Sequence, residues 1–178
     1  MTALKNDKVD MKPALEYVHP SIFEAIKDCK VDSNNLDNIK LILTLINKGK
    51  LDFNINTLNE ILKAMAREIG TVPLMKAIGY AMRAGEIKYE SWNFLKGHNY
   101  LQLMAAMERH GLQVMEGELF DVDTTERIDQ SVSHYGCIGA GINMMLYQIE
   151  VGTLTIDLPI TKEKVYAVQD STKSSGTR

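Results

Sequence analysis

The sequence predicts an all-α protein, a bundle of about six helices followed by a short extended arm at the C-terminal end. Apolar residues recur at helical spacing in several stretches, of which Ile39, Leu43 and Ile46 are one example. Capping residues precede these stretches and glycines follow them, as at helix ends. The alternation that is typical of strands is confined to residues 153–158, and so short a segment does not form a sheet alone.

Three helices are predicted in the N-terminal half of the chain. Ser21 and Glu24 have the spacing of a capping box, and they predict that a short helix begins there. The apolar stripe named above forms the second helix. Thr57 and Glu60 make another capping box, which opens a third helix that ends at Gly70, a residue type common after helix C-termini.

Three further helices are predicted in the C-terminal half. Thr71 caps the fourth helix, Pro73 lies in its first turn, where a missing N–H does no harm, and the helix continues through Glu86. The fifth helix is predicted to span about residues 100–116, and the sixth about residues 125–150.

The chain of 178 residues, 45% of them hydrophobic, is long enough to form one domain with its own core. We assign residues 1–150 to this domain. Residues 30–51 carry few side chains suited to chemistry, and residues 30–70 are a candidate insertion within this domain. Residues 151–178 form the C-terminal arm, whose polar end we expect to be disordered.

Composition and charge exclude several classes of protein. A net charge of −3 without a basic patch disfavours nucleic acid polymers as partners. Cys29 and Cys137 lie far apart and indicate free thiols in a reducing compartment. No apolar run reaches the roughly 18 residues of a membrane span, and the charged N-terminus lacks the apolar core of a signal peptide. We therefore expect a soluble cytoplasmic protein that binds no membrane.

Acidic residues are concentrated between the fifth and sixth predicted helices. A hairpin of these helices would bring them together, and carboxylates on facing helices are how helix bundles hold divalent metals such as Mg²⁺. The spacing of three between Glu126 and Asp129 places both on one helix face. Alternatively, acids in a first helical turn simply complement the helix dipole. The cluster comprises Glu108, Glu116, Glu118, Asp121, Asp123, Glu126 and Asp129.

Two carboxylates and two histidines near this cluster are further candidates. Glu86 and Glu90, four residues apart, repel each other on a helix unless a metal or a neighbouring lysine relieves them. They are either metal ligands or part of a solvated charged face. His110 and His134 either pack within the bundle or hydrogen-bond to a phosphate or a water.

Three glycines, Gly136, Gly139 and Gly141, interrupt the sixth helix, and each costs up to about 1 kcal/mol relative to alanine. Such a cost needs a compensating gain. Close helix–helix packing is the favoured explanation, and a backbone surface for a flat base is the other.

The segment after the fourth helix mixes aromatic, amide and basic side chains. Trp92 or Asn93 is suited to recognising a base, and Lys88 or Lys96 to meeting phosphate charge. A surface loop that is anchored by its tryptophan is the competing interpretation. The sequence contains no phosphate-binding P-loop, no nucleophile elbow and neither of the common zinc patterns, C-x-x-C and H-E-x-x-H. Cys137 has no base partner close in sequence, so a thiol nucleophile is disfavoured.

Several blocks together resemble a known family. The opening contains Lys12-Pro13 and then His19-Pro20, and residues 85–97 are similar to a K-Y-x-x-x-N-W-x-K-G block. Arg109-His110 with Gly117-Glu118, and then His134 with the run ending at Asn143, follow in order. This series resembles the dATP/dGTP diphosphohydrolases of phages, which are all-α proteins of the MazG-like superfamily. The E-x-x-D half of that superfamily's signature fits Glu126 and Asp129.

The resemblance implies a MazG-like helical bundle that uses Mg²⁺, or Mn²⁺ as a substitute, to hydrolyse dGTP and dATP to monophosphate and pyrophosphate. It implies a homodimer or homotetramer and a role in phages whose genomes contain 2-aminoadenine, where the protein would lie in the host cytoplasm. The expected catalytic residues are Glu118, Glu126 and His110. The expected substrate-binding residues are Lys88, Trp92, Asn93, Lys96, His134 and Asn143. The expected metal ligands are Glu86, Glu90, Glu116, Glu118, Glu126 and Asp129.

Two other functions remain open on the sequence. A helical assembly or adaptor protein of a phage would explain the glycines and the ten methionines, but not the acidic cluster. A MazG-like pyrophosphatase for a different deoxynucleotide would share the acidic cluster and differ in its base pocket.

Overall fold

The computed structural model describes residues 12–32, 35–52, 54–121 and 132–155. Within these ranges the chain forms six α-helices and two short 3₁₀ helices, and its only β-pairing consists of isolated bridges. The all-α prediction is confirmed. The α-helices are α1 (Pro20–Ile26), α2 (Leu36–Asn47), α3 (Ile55–Ile69), α4 (Thr71–Lys88), α5 (Tyr100–Met115) and α6 (His134–Val151), and the 3₁₀ helices cover Leu15–Tyr17 and Asn93–Lys96.

The central helix is α6, which is buried along most of its length and packs against α4 and α5. Its glycines permit this close packing. A Cβ at Gly136 would lie 2.4 Å from the carbonyl oxygen of Ala77, and one at Gly139 would lie 2.4 Å from the side chain of Ile78. The packing interpretation of the glycines is therefore confirmed for these two positions, where α4 lies too close for any side chain.

Helices α2 and α3 belong to the same hydrophobic core as the rest of the bundle. Ile39, Leu43 and Ile46 are buried, and α2 packs against α3 and α5. The residues marked as a candidate insertion therefore help to build the fold. Whether they are an insertion stays a prediction.

Two helices begin at residues other than those predicted. His19 caps α1, and its ring Nδ1 accepts from the Ser21 N–H at 3.2 Å. The cap precedes Ser21 because Pro20 already occupies the first helical position. Asn54 and Thr57 form the capping box of α3. Asparagine is among the strongest N-cap residues, and it starts the helix before the predicted Thr57.

The sixth helix begins at His134, so the prediction of one continuous helix from about residue 125 to residue 150 is wrong at residues 132–133. Ser133 caps it by accepting from the Gly136 N–H at 3.0 Å. Ahead of the cap the chain pairs with the segment that leaves α5, since the Asp121 N–H donates to the Val132 carbonyl at 2.7 Å. Residues 132 and 133 are therefore held by this pairing and are not helical. Residues 122–131, which include Glu126 and Asp129, lie outside the described residues.

The arm that follows α6 is extended over its described part, as predicted. Gly152, with φ of +79°, ends the helix. The Thr155 N–H then donates to the His98 carbonyl at 2.9 Å, and the Tyr100 N–H donates to the Thr155 carbonyl at 2.7 Å. The arm therefore fixes the start of α5. None of the described helices is long and apolar enough to cross a bilayer.

Candidate functional site

A cavity of about 330 Å³ lies between the C-terminal half of α4, the segment that joins α4 to α5, and α6. Tyr17, from the first 3₁₀ helix, closes one side. Trp92, Asn93 and Phe94 line the joining segment, and Met144 lies on the α6 side. The cavity thus has one aromatic wall and one aliphatic wall, which suits a flat ring.

Trp92 lies at the centre of the aromatic wall. Its ring centroid is 4.7 Å from that of Tyr17, 5.5 Å from that of Phe94 and 5.8 Å from that of Tyr147. Trp92 has φ of 59°, the left-handed region that bulky residues rarely adopt, and no other non-glycine residue in the described ranges has a positive φ. Its side chain remains partly exposed, so one part of the indole packs on the wall while another faces solvent.

Glu86 lies at the rim of this cavity, where three donors hold its carboxylate. The Tyr17 hydroxyl donates at 2.9 Å, the Ser91 hydroxyl donates at 3.0 Å, and the Arg83 guanidinium forms an ion pair with it. Burial would raise the pKa of Glu86, but these hydrogen bonds outweigh it and the pKa is lowered. Glu86 therefore positions Tyr17 and Ser91. Its predicted metal role would require an ion to displace these donors, and it stays a prediction.

The other predicted residues of this region are more exposed. Glu90 lines the cavity with its side chain mostly in solvent, 3.9 Å from the Lys96 ammonium. The Lys88 ammonium lies 5.2 Å from the ring centroid of Tyr89. Neither lysine lines the cavity as it stands. The contacts predicted between the two lysines and phosphate stay predictions. The same holds for the predicted role of Glu90 as a metal ligand.

A second group of polar side chains lies where α5, the segment after it and α6 meet. We call it the histidine cluster; its residues are His110, Glu118, Asp121, His134 and Cys137. The two Nδ1 atoms of His110 and His134 are 2.7 Å apart, and His134 Nε2 is 3.1 Å from a Glu118 carboxylate oxygen. The Cys137 thiol lies 3.7 Å from an Asp121 carboxylate oxygen. The fold thus brings together three of the predicted site residues (His110, Glu118 and His134), Asp121 from the predicted acidic cluster, and Cys137, which was not predicted.

Burial shifts the pKa of two members of the histidine cluster, His110 and Cys137. Burial, followed by the nearby charges of His134 and Arg109, lowers the pKa of His110 to about 4, so its ring is neutral at pH 7. Burial and the adjacent Asp121 carboxylate raise the pKa of the Cys137 thiol. A cation placed among these groups would reverse the second effect, since it favours the thiolate.

The cavity and the histidine cluster adjoin each other along α6. Cys137, Ala140 and Met144 follow one another on one face of that helix, and the last two line the cavity. Ala81, on α4, also lines the cavity, and both Ala81 and Cys137 pack against the buried side chains of Ala84 and Val132. One helical turn, about 5 Å, separates Cys137 from the cavity wall.

Two of the predicted residues that the structure describes, Asn143 and Glu116, lie apart from this arrangement. Asn143 is fully buried: its amide accepts from the His19 N–H at 2.7 Å and donates to the Tyr17 carbonyl at 2.8 Å. It therefore anchors the segment that carries Tyr17, and a direct contact with substrate stays a prediction. Glu116 is exposed at the end of α5. The metal and catalytic roles predicted for Glu126 and Asp129 concern residues that the structure does not describe.

Two residues of these regions, Tyr17 and Cys137, were not predicted from the sequence. Tyr17 lies 69 positions from its partner Glu86, and no local signal connects the two. Cys137, by contrast, follows His134 by three residues, a spacing that places both on one helix face. That H-x-x-C spacing on a helix, with Asp121 nearby in sequence, was the available signal.

Comparison with known proteins gives one match. The family model described as dATP/dGTP diphosphohydrolase, N-terminal, matches residues 62–155, just over half of the chain. The match includes α4, α5 and α6, and therefore nearly all of the cavity and the whole histidine cluster. No curated protein and no solved structure matches the chain. The chain belongs to the dATP/dGTP diphosphohydrolase family, whose description is of hydrolases that act on deoxynucleoside triphosphates.

Proposed function

We propose that this protein hydrolyses dGTP and dATP to the monophosphate and pyrophosphate in the presence of Mg²⁺. The observation that carries the proposal is the position of an aromatic cavity one helical turn from a group of carboxylates and imidazoles, in a chain of this family. Purine rings stack well on aromatic side chains. We also propose that the protein acts in phages that replace adenine by 2-aminoadenine.

The base is proposed to enter the cavity and stack on Trp92. Tyr17 and Phe94 hold the indole edge-on and tilted, so its plane is fixed before a ligand arrives. Asn93 and His98 line the same cavity and offer polar groups for the base edge. From a base seated there, the triphosphate extends along α6 towards the histidine cluster.

The donor set near the histidine cluster fits Mg²⁺, which prefers carboxylate oxygens, substrate phosphates and water. Glu118, which is about half exposed, is the described carboxylate best placed to hold it; Glu126 and Asp129 are proposed to join from outside the described residues. When bound, Mg²⁺ neutralises phosphate charge and lowers the pKa of the attacking water.

The chemical step is attack of water on the α-phosphorus. The new bond joins the water oxygen to this phosphorus, and the bond to the bridging oxygen of the β-phosphate breaks, so pyrophosphate leaves. Glu118 or Glu126 takes the proton of the water as general base. His134 donates to Glu118 and holds this carboxylate in one orientation. Lys88 and Lys96 are proposed to stabilise the leaving pyrophosphate.

The proposal is tested with dGTP, dATP, dCTP and dTTP, each incubated with the protein and Mg²⁺, with pyrophosphate release as the readout. Release from the two purine substrates is expected, and Mn²⁺ should replace Mg²⁺. No release from either purine substrate would overturn the proposal. Release from a pyrimidine substrate alone would assign the protein to a different deoxynucleotide.

A non-enzymatic helical assembly or adaptor protein is the rival function, and exposed Leu119 and Phe120 favour it, since apolar surface attracts partners. The same residues suit the homodimer or homotetramer that we propose for the enzyme. Thermal unfolding with added Mg²⁺ or Mn²⁺ separates the two functions, because an adaptor without a metal site shows no shift. Light scattering of the purified chain gives the number of subunits.

A further inference from the structure

The histidine cluster contains the donor atoms of a transition-metal site. His110, Asp121 and Cys137 each offer one ligand atom, and these atoms all lie within 4.8 Å of one another. They come from α5, from the segment after it and from α6, so tertiary packing assembles them. Among the described residues no other group of histidine, cysteine and acidic side chains meets this geometry.

We propose that His110, Asp121 and Cys137 bind one transition-metal ion of the zinc class, at a site separate from the Mg²⁺ that accompanies the triphosphate. The donor types decide the class. A thiolate is a soft ligand that selects Zn²⁺ and its neighbours, whereas Mg²⁺ takes oxygen ligands almost exclusively. One nitrogen, one sulfur and one oxygen donor are therefore a poor match for Mg²⁺ and a good one for Zn²⁺.

The distances fit a tetrahedral ion after a small adjustment. With usual bond lengths, the sulfur and oxygen ligands of a tetrahedral Zn²⁺ lie about 3.5 Å apart. The Cys137 thiol and the Asp121 carboxylate are already 3.7 Å apart. The donor atoms all lie within 4.8 Å of one another, so the other separations have to shorten by at most about 1.3 Å, a movement that side-chain rotation supplies.

A hydrogen-bonded chain behind His110 orients it as a ligand. Histidines that bind metals usually donate their other ring N–H to a carboxylate, carbonyl or similar group. In the tautomer that suits a metal-binding His110, His134 donates its Nε2–H to Glu118 and accepts at Nδ1 from the Nδ1–H of His110. This proton order leaves the lone pair of His110 on Nε2, directed away from His134 and available to the ion.

Three protein ligands leave the fourth position of a tetrahedral ion open. Open positions distinguish catalytic zinc ions from structural ones, which are closed by four protein ligands. The site adjoins the cavity, since Cys137 is one turn from Ala140 in the cavity wall. A use of this ion in catalysis rests on the proposed function; its binding does not.

Cobalt titration of the full chain tests the site. The protein is stripped with a chelator and Co²⁺ is then added, because tetrahedral Co²⁺ with a thiolate ligand has visible bands and a near-ultraviolet sulfur-to-metal band. We expect both bands at one Co²⁺ per chain and their loss on addition of Zn²⁺. A wild-type protein that shows no sulfur-to-metal band, or that takes up Mg²⁺ alone, overturns the proposal.

Two variants test proposed ligands, and a third is their control. Cys137→Ser should lose the sulfur-to-metal band and bind Co²⁺ at least about 10- to 100-fold more weakly, since loss of a group that only supports a ligand already costs that much. Asp121→Asn should weaken binding but keep the band. Cys29→Ser is the matched control, since Cys29 lies away from the cluster, and it should titrate as wild type. An unchanged titration of Cys137→Ser, or an equal loss in Cys29→Ser, counts against the assignment.

Two readouts keep this proposal distinct from the proposed function. Circular dichroism of each variant in chelator shows that it folds before metal is added; should Cys137→Ser fail to fold, Asp121→Asn and the wild-type spectrum decide the outcome. Pyrophosphate release is then measured on stripped protein with Mg²⁺. Hydrolysis without Co²⁺ binding would overturn only the zinc-class site, and Co²⁺ binding without hydrolysis would overturn only the proposed function.

Discussion

The cavity and the histidine cluster share α6, yet they are built in different ways. Most of the cavity lining comes from one continuous stretch between residues 81 and 98, which α4 and the following 3₁₀ helix fold into a wall. The five side chains of the histidine cluster come from two helices and a connecting segment. A binding surface can thus be carried by a local segment, whereas the chemical group beside it depends on how the helices pack.

The two regions also differ in their contact with water. In the cavity, Trp92 is partly exposed and Glu90 is largely exposed. In the histidine cluster, His134 is fully buried and His110 is nearly so. Buried polar networks are sensitive to the loss of one member, because the remaining groups have no water to replace it. We therefore expect changes in the histidine cluster to have larger effects than changes in the cavity.

The largest effect is expected for Glu118→Gln. Glutamine removes the charge that binds Mg²⁺ and accepts the proton, so kcat for dGTP should fall by about 10²- to 10⁴-fold. Pyrophosphate release at saturating dGTP measures it. Glu116→Gln changes an exposed carboxylate two residues away and should have little effect. Equal losses in both variants would place the metal at the end of α5 rather than beside His134.

Gly136→Ala should damage both regions at once, because it pushes α6, which carries residues of both regions, away from α4. The new Cβ would lie 2.4 Å from the Ala77 carbonyl oxygen, and backbone has to move. We expect the free energy of unfolding to fall by about 2–3 kcal/mol in denaturant titrations. Gly85→Ala, on α4, is the matched control, since its Cβ meets nothing within 4 Å. If Gly85→Ala destabilises the protein as much, close packing at Gly136 is not the cause.

The buried His110 predicts a dependence of stability on pH. Its pKa is lowered to about 4 in the folded protein, from an ordinary value of 6.5, so the unfolded chain binds more protons between these values. The free energy of unfolding should therefore fall as pH drops from 6.5 to 4, by at most about 1.4 kcal/mol per pH unit from this residue. Denaturant titrations across this range test it. His110→Gln should show a flatter profile, and an identical slope would remove His110 as the source.

The smallest effect is expected for Trp92→Ala in the cavity. Loss of a stacking ring should raise KM for dGTP by about 5- to 10-fold, equivalent to roughly 1 kcal/mol, and leave kcat nearly unchanged. Trp92→Phe, which keeps a ring, should lie between alanine and wild type. Steady-state kinetics on the three proteins measure the split. A fall in kcat without a change in KM would mean that Trp92 does not bind the base.

Local features of the structure followed from sequence to different degrees. The stripe of α2, Gly70 at the end of α3 and the extended arm were predictable, because periodicity and capping act over a few residues. The start of α6 was not, because residues 119–121 pair with residues 132–134 from across an intervening segment. The sequence showed a carboxylate-rich stretch. It did not show which of these carboxylates forms a hydrogen bond with a histidine.

The sequence by itself determined the helical composition of the protein and the stretch that forms most of its cavity. Helical periodicity and side-chain type are local properties that can be read from neighbouring residues. Tertiary structure alone decided that Tyr17 closes the cavity and that His110, Asp121 and Cys137 approach one another. The physical reason is the contact of α6 with α4 and α5. Glycines set that contact at one interface, and it fixes distances between residues that no local pattern connects.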